Sequence, residues 1–396
     1  MIRHFLLLVA ALVAVGCCCA DATAAPLHGF YNGALEQQNI IECSNTSGEL
    51  VAGTLTLHNS DGSVLEERRF SLTQHATSHQ LLDPVLLRGG YGTYTVRTLQ
   101  GSESDLRCQT VFYRHAPAGA GEVLDYAYAL PTDKFIAGPS GGTFNSMHPD
   151  PAAPPVYNWL TIYNPATTTL EADVAVYGAS GSAASKRTIG RVRIGPRQRR
   201  DFALGHEEGK QVGTYAIVPR DSNARYSAYT IRYGTSPHGN RFDFAFPLAA
   251  QAGTCDSGLV PANTMDPATN WAEIATVSKS PVEIQFEVFR SDGSLVHRET
   301  ATLAPRGQLH RYLNQYLGSR AAGSFRVRCV NPGATPHELL VQSLFYGHPA
   351  EQTPALEWAY AYQGATEQAQ STCGYGAHVN TFFDAGNWLL IANEAQ

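Results

Sequence analysis

Four asparagines, Asn39, Asn158, Asn270 and Asn387, open similar stretches at spacings of 119, 112 and 117 residues. The later three read NWLTIYNPAT, NWAEIATVSK and NWLLIANEAQ. Other landmarks keep that period. A turn reads NSDGS, GASGS and RSDGS, around Gly62, Gly181 and Gly293. A strand start reads GTYTV at Gly92, GTYAI at Gly213 and GSFRV at Gly323. A later strand reads VFYRH at Val111, TIRYG at Thr230 and LFYGH at Leu344. A closing strand reads LDYAYAL at Leu124, FDFAFPL at Phe242 and LEWAYAY at Leu356. A fixed period of this kind is the mark of repeated structural units, so one repeat must explain most of the chain.

Within each unit the apolar residues alternate. Leu124, Tyr126 and Tyr128 share one face against Asp125, Ala127 and Ala129, the period of a half-buried strand. VEIQFEVFR and SLVHRETATL flank Ser291-Asp292-Gly293 as a β-hairpin. LLDPVLLR and QYLGSR have room for one helical turn each, and no longer amphipathic helix is evident. About seven short strands per unit of about 90 residues predict an all-β chain. We expect three tandem immunoglobulin-like antiparallel β-sandwiches, plus the first strand of a fourth. The expected boundaries are a signal peptide over 1–25, a first sandwich over 26–132 and linker plus second sandwich over 133–250. A linker plus third sandwich follows over 251–364, then linker and first strand of a truncated fourth repeat over 365–396. The closing strand has two readings: an array cut at Gln396, or a strand donated to a neighbouring molecule.

The first residues carry Arg3 and His4, an apolar run from Phe5 to Val15, then small residues ending at Ala22 and Ala24. This is a secretory signal pattern. The alternative is lipidation at Cys17. No later segment is apolar enough to span a membrane, so export predicts a secreted or cell-surface protein. A net charge of −6 argues against a nucleic-acid binder. Beyond the signal stand Cys43, Cys108, Cys255, Cys329 and Cys373. In an exported chain these suggest disulfides. Cys43 lies in an opening strand and Cys108 in a late one, and their equivalents are the apolar pairs Ile162/Ala228 and Ile274/Val341. We expect a Cys43–Cys108 bridge between the two sheets, and the sequence assigns no pairing to Cys255, Cys329 and Cys373.

Tyr163-Asn164-Pro165, Gly181 and Gly213-Thr214-Tyr215 carry a resemblance to the tandem β-sandwich repeats of bacterial secreted and surface proteins. The resemblance spans all three repeats and is architectural. It implies a structural or adhesive role by analogy, since a fold does not fix a function.

Motifs of chemistry are sparse. The chain has no HExxH pair and no phosphate loop. GPSGGT at Gly138 sits in a predicted linker, and HATSH (His75, His79) does not recur in the other units. The closing-strand carboxylate recurs as Asp125, Asp243 and Glu357. It is either a calcium site between repeats or a solvated charge that discourages edge pairing. Tyr126, Phe244 and Trp358 share one repeated site and are expected in the core. Trp159, Trp271 and Trp388 follow the opening Asn, as linker packing or as a contact for sugar. The run RVRIGPRQRRD, from Arg191 to Asp201, reads as a solvated edge or a patch for acidic polymers.

These features predict a non-catalytic extracellular protein, not an enzyme, acting in adhesion or as a spacer. Its expected partners are surface polysaccharide or another cell-surface protein, with no nucleic acid, no integral membrane segment and no cofactor unless Ca2+. The alternatives are a carbohydrate-binding array, or accessory domains of a secreted hydrolase whose catalytic part lies beyond Gln396.

Overall fold

The computed structural model describes residues 25–82, 89–116, 124–132, 135–179, 186–205, 209–237, 241–265, 267–331, 339–348 and 355–364. The expected signal segment up to Ala24, Cys17, Cys373, Trp388, Gly181 and the closing strand at 387–396 lie outside these residues, as does most of LLDPVLLR.

The first repeat contains β1 (Leu27–Asn32), β2 (Gln38–Asn45), β3 (Val51–Asn59), β4 (Val64–Leu72), β5 (Thr77–Leu81), β6 (Tyr91–Gln100), β7 (Leu106–His115) and β8 (Leu124–Pro131). After the short β9 (Ile136–Ala137), the second contains β10 (Ser140–Asn145), β11 (Tyr157–Tyr163), β12 (Leu170–Gly178), β13 (Arg187–Ile194), β14 (Arg199–Ala203), β15 (Val212–Pro219), β16 (Arg225–Thr235) and β17 (Phe242–Ala249). The third contains β18 (Val260–Asn263), β19 (Ala268–Thr276), β20 (Val282–Arg290), β21 (Leu295–Leu303), β22 (Gln308–Tyr312), β23 (Ala322–Cys329), β24 (Leu339–Gly347) and β25 (Trp358–Gln363). Gln315, Tyr316 and Leu317, from QYLGSR, lie in an α-helical turn, Asn314–Leu317.

Each repeat folds as two open antiparallel sheets. In the first their orders are β1-β6-β3-β4 and β5-β2-β7-β8, and the other two repeat the pattern strand for strand. This is the expected all-β sandwich. Its strand order is its own rather than the ABED/CFG order of a constant-type immunoglobulin domain. The leading strands β10 and β18 lie in the stretches read from sequence as linkers. They are short and rich in Gly and Pro, so the sequence gives them a weak strand signal. Each sandwich has its own apolar core. Leu55, Leu57 and Val96 lie in the first, Leu160, Val174 and Ile217 in the second, and Ile274, Phe286 and Val327 in the third.

The opening Asn now has a physical reason. Asn39, Asn158 and Asn270 are each 0% exposed. The side-chain carbonyl of each accepts the backbone N–H of the residue that ends the leading strand, Asn32, Asn145 and Asn263, at 2.8, 3.1 and 2.9 Å. The Asn158 amide donates back to the carbonyls of Asn145 and Val156. One side chain thus fastens the crossing from one sheet to the other. A buried amide left unpaired costs about 1–3 kcal/mol, so each copy is held to this role.

Cys43 and Cys108 are bonded. They are direct cross-strand neighbours in β2 and β7, so the bridge joins two strands of one sheet rather than the two sheets. Ile162 opposite Ala228 and Ile274 opposite Val341 hold the same register positions. The disulfide therefore stands where the other repeats pack an aliphatic pair, all facing the core. A second bond, Cys255–Cys329, ties the segment before β18 to the end of β23.

Register also shifts one landmark. Phe112 stands opposite Tyr128, Arg232 opposite Phe246 and Phe345 opposite Tyr360. The equivalent of VFYRH is therefore IRYGT at Ile231, one residue later than TIRYG suggests, and Arg232 occupies an aromatic site.

Neighbouring sandwiches pack on one another. Tyr126, Tyr128 and Leu130 of β8 join Phe30 and Phe112 in a cluster with Tyr229, Ile231 and Tyr233 of β16. Phe244, Phe246 and Leu248 of β17 do the same with Leu344 and Tyr346 of β24. Tyr126 and Phe244 are thus core residues of a joint and not of a single sandwich. Trp358, at the same position in β25, stacks on Tyr360 at 5.3 Å.

A turn before each fifth strand completes the joints. Its tip, His75, Arg197 or Arg306, has φ of 56°, 59° or 54°. The hydroxyls of Thr93 and Thr214 donate to the carbonyls of Arg197 and Arg306 at 3.0 and 2.8 Å. The N–H groups of Arg199 and Gln308 reach the carbonyls of Ser60 and Ala179. Pro precedes the tip Arg in the second and third repeats, each of which has a sandwich before it, whereas the first repeat has Gln74-His75. Arg199 further donates to the Tyr31 carbonyl at 2.6 Å and lies over Phe30. Arg197 and Arg199 are therefore joint residues. Arg191 and Arg193 are the solvated part of the basic run, beside Asp173 and Glu171.

Gly62 and Gly293 test this account. Both have φ of 84°, where a Cβ is strained. A Cβ on Gly62 would lie 2.4 Å from the carbonyl oxygen of Pro196 across the joint, while one on Gly293 meets nothing within 4 Å. Gly293→Ala should cost about 1–2 kcal/mol. Gly62→Ala should cost measurably more in urea unfolding, because it also forces the joint apart; equal losses would contradict the docking of this turn.

Candidate functional site

The joint between the second and third sandwiches holds a cleft of about 690 Å³, within the range of small-molecule sites. Alternation of side chains along three strands builds one side of it. Trp271 in β19 lies between Tyr312 of β22 and Leu344 of β24, in one cross-strand row. The next row runs His310, Glu273, Gln342, and Thr269 pairs with Tyr346 on the other side. These residues occupy the outer face of their sheet because Ala272 and Ile274, between them, fill the inner core. The second sandwich supplies the other side with Asn145, Met147, His148 and Pro149, which end and follow β10.

Trp271 is 36% exposed, and its ring centroid lies 4.9 Å from that of Tyr312 at an interplanar angle of 43°. The pair makes a bent aromatic wall. Beside it His348 Nε2 lies 3.1 Å from the Thr269 hydroxyl.

At one edge lies a buried ion pair across the joint. Arg232 donates to both Glu273 oxygens, at 3.1 and 2.7 Å. It also donates to Thr143, as does Gln342, and Gln342 reaches Glu273 as well. Burial alone would raise the Glu273 carboxyl, but the Arg232 guanidinium, with His310 beside it, outweighs this and holds it at about 2. Its contribution to stability is therefore complete above the ordinary value of 4.5, and is lost as pH falls toward about 2.

His148 is 5% exposed. Burial lowers its pKa to about 4, against the opposing pull of Asp150. Its Nδ1 accepts the Asp150 N–H at 3.0 Å, so the neutral ring carries its proton on Nε2. That Nε2–H has no hydrogen-bond partner and lies 3.6 Å from Asp243. The joint between the first and second sandwiches holds a matching neutral ring. Burial, with Arg197 beside it, lowers His28 to about 3, and its Nδ1 lies 3.0 Å from the Tyr163 hydroxyl.

The other candidates are scattered. Asp125 is buried at the first joint, where it accepts from Arg114, from Arg241 at 3.3 Å and from the Phe242 N–H. Two guanidiniums on one carboxylate do not suit Ca2+, which needs six to eight oxygens. Asp243 lies by His148, and Glu357 is exposed. Among the described residues no group of three or more His, Cys, Asp or Glu is close enough to hold a metal. Trp159 is 39% exposed and stands opposite Ala203, where Trp271 has Tyr312. His75 is exposed at a turn tip, and His79 lies 3.7 Å from Glu42. Sequence reading flagged Trp271 but missed Tyr312, His148 and the Arg232–Glu273 pair. The register slip hid Arg232, and the residues from the second sandwich come from a stretch read as linker.

No family model matches the chain, and no curated protein matches it. Among solved structures it is similar, at 10% identity and a TM-score of 0.16, to a chain titled "Structure of infectious bursal disease virus Gx strain". That likeness covers 84% of this chain and 76% of the other.

Two measurements follow from this geometry. Arg232→Met leaves Glu273 buried without its partner and should cost about 3–5 kcal/mol. The double variant Arg232→Met/Glu273→Leu should regain most of the loss in chemical denaturation. For His148 and His28 the unfolded chain takes up protons near 6.5, while the folded rings stay neutral down to about 4 and 3. Stability is therefore full above pH 6.5 and falls by about 1.4 kcal/mol per pH unit for each ring as pH drops to 4. His148→Gln should make the measured slope of stability against pH shallower in that window.

Proposed function

We propose that the protein is a non-catalytic extracellular or cell-surface protein that acts in adhesion, with its stacked sandwiches serving as a stiff spacer. The observation that carries this reading is the sealing of both joints. Each has an apolar, aromatic-rich cluster shared by two sandwiches, and each adds buried polar contacts. Domains in one chain move relative to one another unless their interface is large and hydrophobic. Joints of this kind suit a protein that must hold a binding surface at a fixed distance. Two disulfides favour an oxidising compartment. Among the described residues no helix is long and apolar enough to cross a membrane. The partners in this reading are a surface polysaccharide or another cell-surface protein.

Small-angle scattering of the full chain tests the spacer. The wild type should scatter as a single stiff body. Tyr128→Ala with Tyr233→Ala, which removes the 3.0 Å hydroxyl contact and two joint rings, should raise the maximum dimension spread without loss of strand circular dichroism. A wild-type profile of freely jointed modules would overturn it. Beads coated with the chain test adhesion. They should be retained on cell layers under flow and released by excess soluble protein, and retention no better than that of bare beads would sink this part of the reading.

A further inference from the structure

We propose that the cleft between the second and third sandwiches is a binding site for a neutral oligosaccharide, with one pyranose ring stacked against Trp271 and Tyr312. This deepens the adhesive reading above and rests on it. The argument is a match of chemistries. A pyranose ring presents a flat C–H face and an edge of hydroxyls. It therefore needs an apolar aromatic wall with donors and acceptors beside it.

The cleft supplies both. Trp271 keeps 36% of its surface exposed although Leu344 and Tyr312 flank it in register. The sheet holds both rings by backbone pairing, so the wall is formed before any ligand arrives, which reduces the cost of binding. Next to it stand Asn145, the Thr269–His348 pair and His148. His148 borders the cleft as well, with its buried Nε2 3.6 Å from the Asp243 carboxylate.

Charge narrows the class. Among the described residues that line the cleft there is no Lys or Arg, and Glu273 is already matched by Arg232. His148 is neutral at pH 7 because of its burial. A uronate, sialate or phosphate would find no cation among these lining residues, so the fit is to an uncharged sugar. A wholly apolar ligand would leave the polar side unmatched. The first joint lacks the same wall, because Trp159 stands opposite Ala203 rather than a second ring.

The test uses the full chain at pH 7. Tryptophan fluorescence and calorimetry follow titration with hexasaccharides of β-1,4-glucose, β-1,4-xylose, β-1,4-mannose and N-acetylglucosamine, and with oligogalacturonate as the acidic control. At least one neutral sugar should bind and shift the emission. Trp271→Ala should weaken it at least tenfold, about 1.4 kcal/mol. Trp271→Phe should restore part of the affinity, and Trp159→Ala should leave it unchanged. Unaltered melting temperatures keep the variants interpretable, and a solvent-exposed ring makes that the expected result. Three results overturn the proposal: no neutral sugar binds, binding survives Trp271→Ala, or only the acidic control binds. Scattering and bead retention do not depend on these sugars, so the adhesive reading can stand while this one falls.

Discussion

A β-sheet that extends past its partner sheet leaves part of one face uncovered, and that face must be buried on something else. The structure depends on this constraint. In the first sandwich Tyr126, Tyr128 and Leu130 point to the inner side of β8, yet they join the cluster of the next sandwich and not their own core. The second sandwich repeats the arrangement with Phe244, Phe246 and Leu248. Burying an aromatic or aliphatic side chain of this size stabilises by about 1.5–3 kcal/mol. Three such residues on one strand therefore outweigh the freedom lost when two sandwiches stop moving independently.

The two joints share geometry and differ in chemistry. Phe112 and Arg232 hold equivalent positions, one facing an aromatic cluster and the other a carboxylate. Glu273 and Thr161 likewise hold equivalent outer-face positions, two residues after Trp271 and Trp159. A buried Arg–Glu pair adds little net stability over apolar residues of the same volume, but half of it is costly. Stacking the second sandwich against the wrong surface would bury Arg232 without Glu273. Such a stack would carry the cost of an unpaired buried charge, while the apolar clusters supply the attraction.

Much of this was legible in the chain. The period of the opening Asn defines the units, and alternation in LDYAYAL, FDFAFPL and LEWAYAY marks their last strands. The apolar pairs Ile162/Ala228 and Ile274/Val341 locate the Cys43–Cys108 bridge, although not its place within one sheet. Three things were hidden, each for a physical reason. Strand β18 is four residues long and includes Pro261, so its pattern is too short to register. Alternation says that Tyr126 and Phe244 face inward, but not whether their own sandwich or the next one covers them. Arg232 and Glu273 are single charges in separate strands 41 residues apart, and pairing across a joint leaves no local signal.

The candidate site belongs to the joint more than to any repeat. In the second repeat the tryptophan, Trp159, stands opposite Ala203 and is 39% exposed. Its equivalent in the third repeat, Trp271, becomes the wall of a cleft for two reasons. Tyr312 replaces the alanine opposite it, and the loop from Asn145 to Pro149 of the preceding sandwich is held across from it. Asn158 fastens the start of that loop, while the Arg232–Glu273 pair and the β17–β24 cluster hold the two sandwiches together. On the proposed reading, rigidity and recognition are the same property seen at two distances. A substitution that softens this joint must also blur the cleft, even when it touches no lining residue. On that reading the order of the repeats, and not only their number, decides where a ligand can sit.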